Sequence, residues 1–144
     1  MTGDRLAVFD TNVLVSGFLS PNGSPGRIVE WLRTGVVRAG LDDRIVAEYA
    51  EVLLRHELGL PPAEVEVMLR TIRKRGVWAD RPSPEQPLAP LPDPDDEPFA
   101  ECALTLECPL VTGNKRHFPK AVLPRLTILS PADFMASLIR SPGV

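Results

Sequence analysis

Arg5-Leu6-Ala7-Val8-Phe9-Asp10-Thr11-Asn12-Val13-Leu14-Val15-Ser16 runs a short apolar strand directly into a carboxylate and then into an apolar pattern of helical spacing. This places Asp10 at the C-terminal tip of a strand. In an open parallel α/β sheet that edge is where ligands bind, because the chain turns there into a helix whose free N–H groups and positive dipole end face the crevice. An acid beside a partly buried strand is costly unless a cation or a hydrogen-bond network holds it, which points to a metal-binding cleft. Asp is also a preferred helix cap, and the stretch by itself leaves both roles open.

The rest of the chain alternates in the same way. Asn12 to Leu19 forms a short helix stopped by the Ser20-Pro21-Asn22-Gly23 turn cluster. Ser24-Pro25-Gly26 opens a second helix, with Ser24 as cap and Ile28, Val29 and Leu32 as the apolar face up to Gly35. Val36 to Leu41 reads as a second strand. Asp42 or Asp43 caps a third helix, with Ile45, Tyr49, Val52, Leu53 and His56 on one side and Gly59 at its end. Pro61-Pro62 starts a fourth helix that runs to about Lys74, with Val65, Met68, Leu69 and Ile72 buried and Gly76 closing it; Val77-Trp78-Ala79 is a third short strand.

Seven prolines between Pro82 and Pro98 exclude a helix or a central strand, so residues 81–95 form a proline-rich internal loop. Phe99, Ala103 and Leu106 mark a fifth helix, and Leu110-Val111-Thr112 a strand ending in Gly113-Asn114. Pro119 closes a turn of helix, Leu126 to Leu129 is the last strand, and Ser130-Pro131-Ala132-Asp133 caps the last helix. The alternation predicts an α/β fold: a single three-layer, Rossmann-like domain over residues 1–144, its parallel sheet sandwiched by helices on both faces.

Composition narrows the function. The chain has 144 residues, 24% of them charged and 44% hydrophobic, the make-up of an ordinary globular domain. It has no apolar run of membrane-spanning length, and Asp4 and Arg5 precede a first apolar run that is too short for a secretory signal, so the expectation is a cytoplasmic protein. Cys102 and Cys108, the only cysteines, match neither a zinc spacing nor a disulfide framework and read as reduced core thiols. A net charge of −3 argues against coating nucleic acid through the overall field, though not against a local basic track. Phe18, Trp31 and Trp78 are assigned to the core rather than to base stacking.

Three acids can converge in such a fold. Asp10 is one. Glu48 lies at the edge of the third helix's apolar arc beside Ile45 and Val52, where it either looks into a cleft or pairs on the surface with Arg44; Glu51, placed for Arg55, reads as solvated. Asp96 precedes Phe99 and Ala100 by three and four positions, so it follows the buried face of the fifth helix, while Glu97 and Glu101 point away. Clustered carboxylates repel one another and call for a hard, oxygen-preferring cation, Mg²⁺ or Mn²⁺. Asn12 and Thr112 can hydrogen-bond at a phosphate or a bound water. Lys115 and Arg116 are the preferred phosphate contacts, and Arg70, Arg73 and Lys74 make a basic stripe that is either a second track or a solvated helix end.

Four segments, Phe9-Asp10-Thr11-Asn12, Ala47-Glu48-Tyr49-Ala50-Glu51-Val52-Leu53, Asp93-Pro94-Asp95-Asp96-Glu97-Pro98-Phe99 and Leu110-Val111-Thr112-Gly113-Asn114-Lys115, resemble in order and spacing the motifs of the PIN domain family. The resemblance implies a PIN-like fold and a metal-dependent ribonuclease with Asp10, Glu48 and Asp96 as its acids. It also implies products with 5′-phosphate and 3′-hydroxyl ends. Asn114 falls where a fourth aspartate often stands, and His117 where some members carry a further acid. Many members are toxins of bacterial toxin–antitoxin pairs and often dimerise, so an RNA substrate, a small antitoxin protein and a homodimer are the expected partners, with no membrane. The rival is a catalytically silent PIN-like module, suggested by the residues at 114 and 117. A dehalogenase-type phosphatase lacks its second Asp, since position 12 is Asn, and a receiver-type domain lacks its second acid near the first strand.

Overall fold

The computed structural model describes residues 5–80, 91–120 and 123–140. Within them β1 (Leu6–Phe9) leads into α1 (Thr11–Leu19) and α2 (Ser24–Thr34), β2 (Arg38–Leu41) into α3 (Asp43–Leu53) and α4 (Pro62–Arg75), and β3 (Val77–Trp78) follows. After the described chain resumes come α5 (Glu97–Leu106), β4 (Leu110–Val111), β5 (Ile128–Leu129) and α6 (Pro131–Arg140). All strand pairings are parallel, in the order β3-β2-β1-β4-β5. The chain therefore winds outward from β1 through β2 to β3 and then returns to build β4 and β5 on the other side. Right-handed crossovers put α5 on the face opposite the earlier helices. Thus α2 packs on α1, α4 and α6, whereas α5 lies against β1, β2 and β4. This is the predicted three-layer parallel α/β sandwich.

The central strand is wholly apolar and inaccessible from Ala7 to Phe9, as a strand covered on both faces must be. Phe9 meets Phe134 of α6 edge to face, with ring centroids 5.5 Å apart. Across the α1–α2 turn the helices approach so closely that a Cβ on Gly26 would lie 2.1 Å from the Pro21 carbonyl oxygen, and one on Gly17 2.4 Å from Val29. Only glycine fits there. Tyr49, 1% exposed, donates its hydroxyl to the carbonyl of Phe9, tying α3 to the tip of β1.

Several boundaries depart from the sequence reading. Ser24 is the first residue of α2, not its cap; Gly23 holds the cap position without a side-chain bond. The second strand starts at Arg38 because Gly35 turns left-handed and the Val37 N–H returns to the Trp31 carbonyl. The third helix stops at Leu53, so His56 sits exposed in a separate 3₁₀ turn, His56–Leu58. Trp78 is 42% exposed on the edge strand, its indole N–H donating to the Arg73 carbonyl, while Phe18 and Trp31 are only partly buried. The segment closed by Pro119 is a 3₁₀ turn, Lys115–His117. The ends did follow chemistry where a side chain caps: Asp42 accepts from the N–H groups of Arg44 and Ile45, and Ser130 from Asp133. Of the proline-rich loop, 81–90 lie outside the described residues. Cys102 and Cys108 are free, and burial pushes their thiols up to about 12 and about 11.

Replacing Tyr49 by Phe would leave the buried Phe9 carbonyl without this donor, a loss of about 1–3 kcal/mol. The expected outcome is a melting temperature lower by several degrees with an unchanged far-ultraviolet circular dichroism spectrum. An unchanged melting temperature would show that the bond does not anchor α3.

Candidate active site

The direction of winding reverses between β1 and β4, and that switch point is where a doubly wound sheet opens a crevice at its carboxyl edge. Asp10 follows β1 and Thr112 follows β4, so the two straddle it. The Asp10 N–H donates to the Val111 carbonyl at 2.9 Å, and the Thr112 hydroxyl donates to Asp10 Oδ2 at 2.8 Å. Asp10 holds the cap position of α1, yet its carboxylate makes no capping hydrogen bond. The contrast with Asp42, at the tip of β2, is instructive. Asp42 caps α3 and also accepts from Arg44 at 2.8 Å, so its charge is spent within the fold. Asp10, 4% exposed, has no Lys or Arg beside it; burial raises its pKa, and the Thr112 hydroxyl, the nearby Thr11 and Asn12 amides and the His117 imidazole offset this only in part.

Glu48 comes to the same crevice from α3. Its carboxylate accepts from the Thr11 hydroxyl, one residue beyond Asp10. Arg44, its alternative partner, instead binds Asp42 and Glu101, at 2.8 and 2.7 Å. That fork also draws in Glu101, which the sequence reading had pointing away, and so ties the start of α3 to α5. Glu51 pairs with Arg55 on the surface. Burial raises the pKa of Glu48, and Asp10, Asp95 and Glu51 add repulsion against the donation from Thr11.

Asp96 enters from the 3₁₀ turn Pro94–Asp96 that precedes α5, with Asp93 capping that turn through the Asp95 N–H. It is 8% exposed. Its Oδ2 is buried and has no hydrogen bond of full geometry, with His117 Nδ1 as its ion-pair partner 3.0 Å away. Burial, then the charge of Asp10, lift the carboxyl to about 6, with His117 attracting in the other direction. Asp10 is therefore the hub, felt by both Glu48 and Asp96.

The fourth position is organised differently. Asn114 donates its backbone N–H to the Thr112 hydroxyl at 3.0 Å, and its side-chain nitrogen lies 2.9 Å from His117 Nε2. Thr112 is fully buried, with its hydroxyl shared between Asp10 and Asn114, so it holds the acid instead of standing free for substrate. Asn12 is exposed at the start of α1, and Lys115 and Arg116 are exposed beyond Asn114, Lys115 lying 3.6 Å from Asp133. The last turn of α4 feeds β3, so Arg73 and Lys74 lie at the sheet edge opposite Asp10. Sequence reasoning missed Thr11, whose place beside Asp10 was its only signal.

As donors, these groups suit a hard divalent cation: all oxygen, mutually repelling, and with one buried carboxylate oxygen left without a hydrogen bond. Among the described residues, however, no three His, Cys, Asp or Glu side chains form a ready-made cage. Each acid leans toward a protein partner instead. No helix among the described residues is long and apolar enough to cross a membrane. A family model described as PIN domain matches residues 6–116, a span containing Asp10, Glu48 and Asp96, and the members of that family are generally nucleases that use divalent metals. No curated protein matches the sequence.

A carboxyl raised in the folded state holds its proton more tightly there than in the unfolded chain. For Asp96, raised from 3.8 to about 6, the stability this gives is complete below the unfolded value and is lost as pH rises through about 6. Metal-free protein should therefore lose melting temperature between pH 4 and pH 7 through this group. Asp96→Asn should flatten that slope and raise the melting temperature at pH 7 by a few degrees, since about 1 kcal/mol is worth roughly 2–4 °C at this size. A lower melting temperature in Asp96→Asn would show that the carboxylate is stabilising where it stands.

Proposed function

Because the chain belongs to the PIN domain family, we propose that it is a Mg²⁺- or Mn²⁺-dependent endoribonuclease whose centre is Asp10, Glu48 and Asp96, and that it serves as the toxin of a cytoplasmic toxin–antitoxin pair restrained by a small antitoxin protein. The observation that carries the nuclease reading is the pair of buried acids Asp10 and Asp96 at the switch point, both raised in pKa and neither held by a Lys or Arg, with Glu48 beside them. Structural acids in this same fold, Asp42 and Glu101, are neutralised by Arg44. Those at the crevice have no Lys or Arg partner, and Asp96 has only the His117 imidazole, 3.0 Å away.

Asp10, Glu48 and Asp96 would hold the ion, which when bound supplies Lewis-acid stabilisation of a phosphodiester and lowers the pKa of a water. Thr112 fixes Asp10 from β4, and Thr11 fixes Glu48 from α1, so the two acids keep their orientation across three elements. Asn114 braces His117 beside Asp96, which keeps an imidazole at the one acid that has no hydrogen bond on its buried oxygen. Lys115 and Arg116 place positive charge at the crevice rim, where the phosphate backbone of RNA needs it.

Purified protein should cleave RNA with Mg²⁺ or Mn²⁺ and not in excess EDTA. Asp10→Asn or Asp96→Asn should lower the rate at least ~100-fold, the scale of losing one preorganised electrostatic contributor, with circular dichroism unchanged. Glu48→Gln should impair cleavage far more than Glu51→Gln. Cleavage in EDTA, or full activity in Asp10→Asn, would refute the mechanism; no cleavage by the wild type under any divalent ion would favour the silent interaction module.

A further inference from the structure

Beyond Asn114 the chain builds a second feature that the acid centre does not use. A cavity of about 460 Å³ runs along the free edge of β5, lined by Lys115, Lys120 and Arg125 around Phe118 and Thr127. Its described lining contains three cationic side chains and no acidic one. Lys120 and Arg125 are exposed and have no ion-pair partner among the described residues, and Lys115 has only the 3.6 Å approach to Asp133. Phe118 is 1% exposed, so its ring is packed in the core and offers no face for a base. A volume of this size accommodates a phosphate with its sugar, and an Arg fork beside lysines is the donor set for phosphate oxygens.

The cavity adjoins the acid crevice at its Lys115 end and runs down the edge of β5 toward the start of that strand, where Arg125 and Thr127 lie and where Arg125 also lines a second cavity with Glu107. Asn114 braces His117 beside Asp96, Lys115 is the next residue and lines the cavity, and Phe118 forms its floor directly after His117. Thr112 carries the same linkage inward, since its N–H donates to Leu129 of β5 and its hydroxyl to Asp10. We propose that this cavity is a backbone subsite for the RNA strand flanking the scissile bond, in which Lys115, Lys120 and Arg125 hold phosphate groups without reading bases. The subsite rests on the nuclease reading for its substrate and extends it to residues outside the acid centre. Arg70, Arg73 and Lys74, equally basic but on α4, form no part of it.

The test is fluorescence anisotropy of a labelled, unstructured single-stranded RNA of about twelve nucleotides, within the usual range for such sites, titrated with the full chain in EDTA at several salt concentrations. Lys120→Ala/Arg125→Ala should weaken binding on the order of ten-fold and flatten the log–log salt dependence by about 1.4, two contacts at ~0.7 each. Lys120→Arg/Arg125→Lys should restore the slope, and Arg70→Ala/Arg73→Ala should leave it unchanged. In Mg²⁺, the double alanine variant should raise KM for RNA and leave kcat at saturating RNA near the wild-type value. If the wild type cleaves RNA while the double alanine variant binds with the wild-type slope, the subsite is refuted and the nuclease reading stands. If the variant flattens the slope but the wild type never cleaves, the cavity stands as an RNA-backbone site, and the nuclease reading falls together with the placing of this site beside a scissile bond. Equal losses from the Arg70 and Arg73 control would refute the subsite, as would a wild type that binds no RNA.

Discussion

Three carboxylates brought together at a sheet edge with no Lys or Arg to balance them, and only the His117 imidazole beside Asp96, are the constraint from which the rest of this structure follows. Asp10 is buried at the tip of the innermost strand, and its charge reaches both Glu48 and Asp96. Burial raises all three pKa values and the charge of Asp10 adds to it at Glu48 and Asp96, so the fold opposes ionisation of the groups it gathers. Such an arrangement persists where a ligand balances it, and a hard divalent cation is the ligand that oxygen donors of one sign accept best.

The surrounding fold can be understood as the means of holding those acids in place. Tyr49 ties α3 to the carbonyl at the end of β1, and Glu48 is its immediate neighbour in sequence. Arg44 bridges Asp42 and Glu101, fixing α3 against α5, whose start carries Asp96. Thr112 reaches from β4 to Asp10 across the switch point. Two of these contacts reach the tip of β1 and the third joins α3 to α5, so the acids are supported from several sides by groups that are themselves satisfied. Functional sites are commonly kept at a cost in stability of this kind.

The architecture was legible because its signals are local and strong. Apolar runs ending at Asp10 and Thr112, the helical spacing of Ile45, Tyr49 and Leu53, and the Ser130 cap each belong to one element, and together they define an alternating parallel fold. Asp10, Glu48 and Asp96 could be picked out by their place relative to buried faces. What sequence could not settle was the choice of partner. Arg44 stands one turn from Glu48, as a surface pair requires, but joins Asp42 and Glu101; the second of these is 57 positions away. Asp10 and Asp42 both end apolar strands, and only the folded contacts separate the one that caps a helix from the one that does not. His56 and Trp78 were misplaced because helix periodicity does not reveal where α3 stops, nor hydropathy that β3 is an edge. Lys120 and Arg125 carry no pattern at all until the chain brings them beside Lys115.

The central claim, that these acids form a divalent-cation centre organised by Asp10, is tested most directly by calorimetric titration of the metal-free protein with Mn²⁺ at pH 6 in two buffers of different ionisation enthalpy. Carboxyls held above their usual range must release protons when a cation takes them. The account predicts saturable binding whose measured heat depends on the buffer, abolished in Asp10→Asn and retained in Glu51→Gln. Binding of equal strength in Asp10→Asn, or no binding by the wild type, would contradict it.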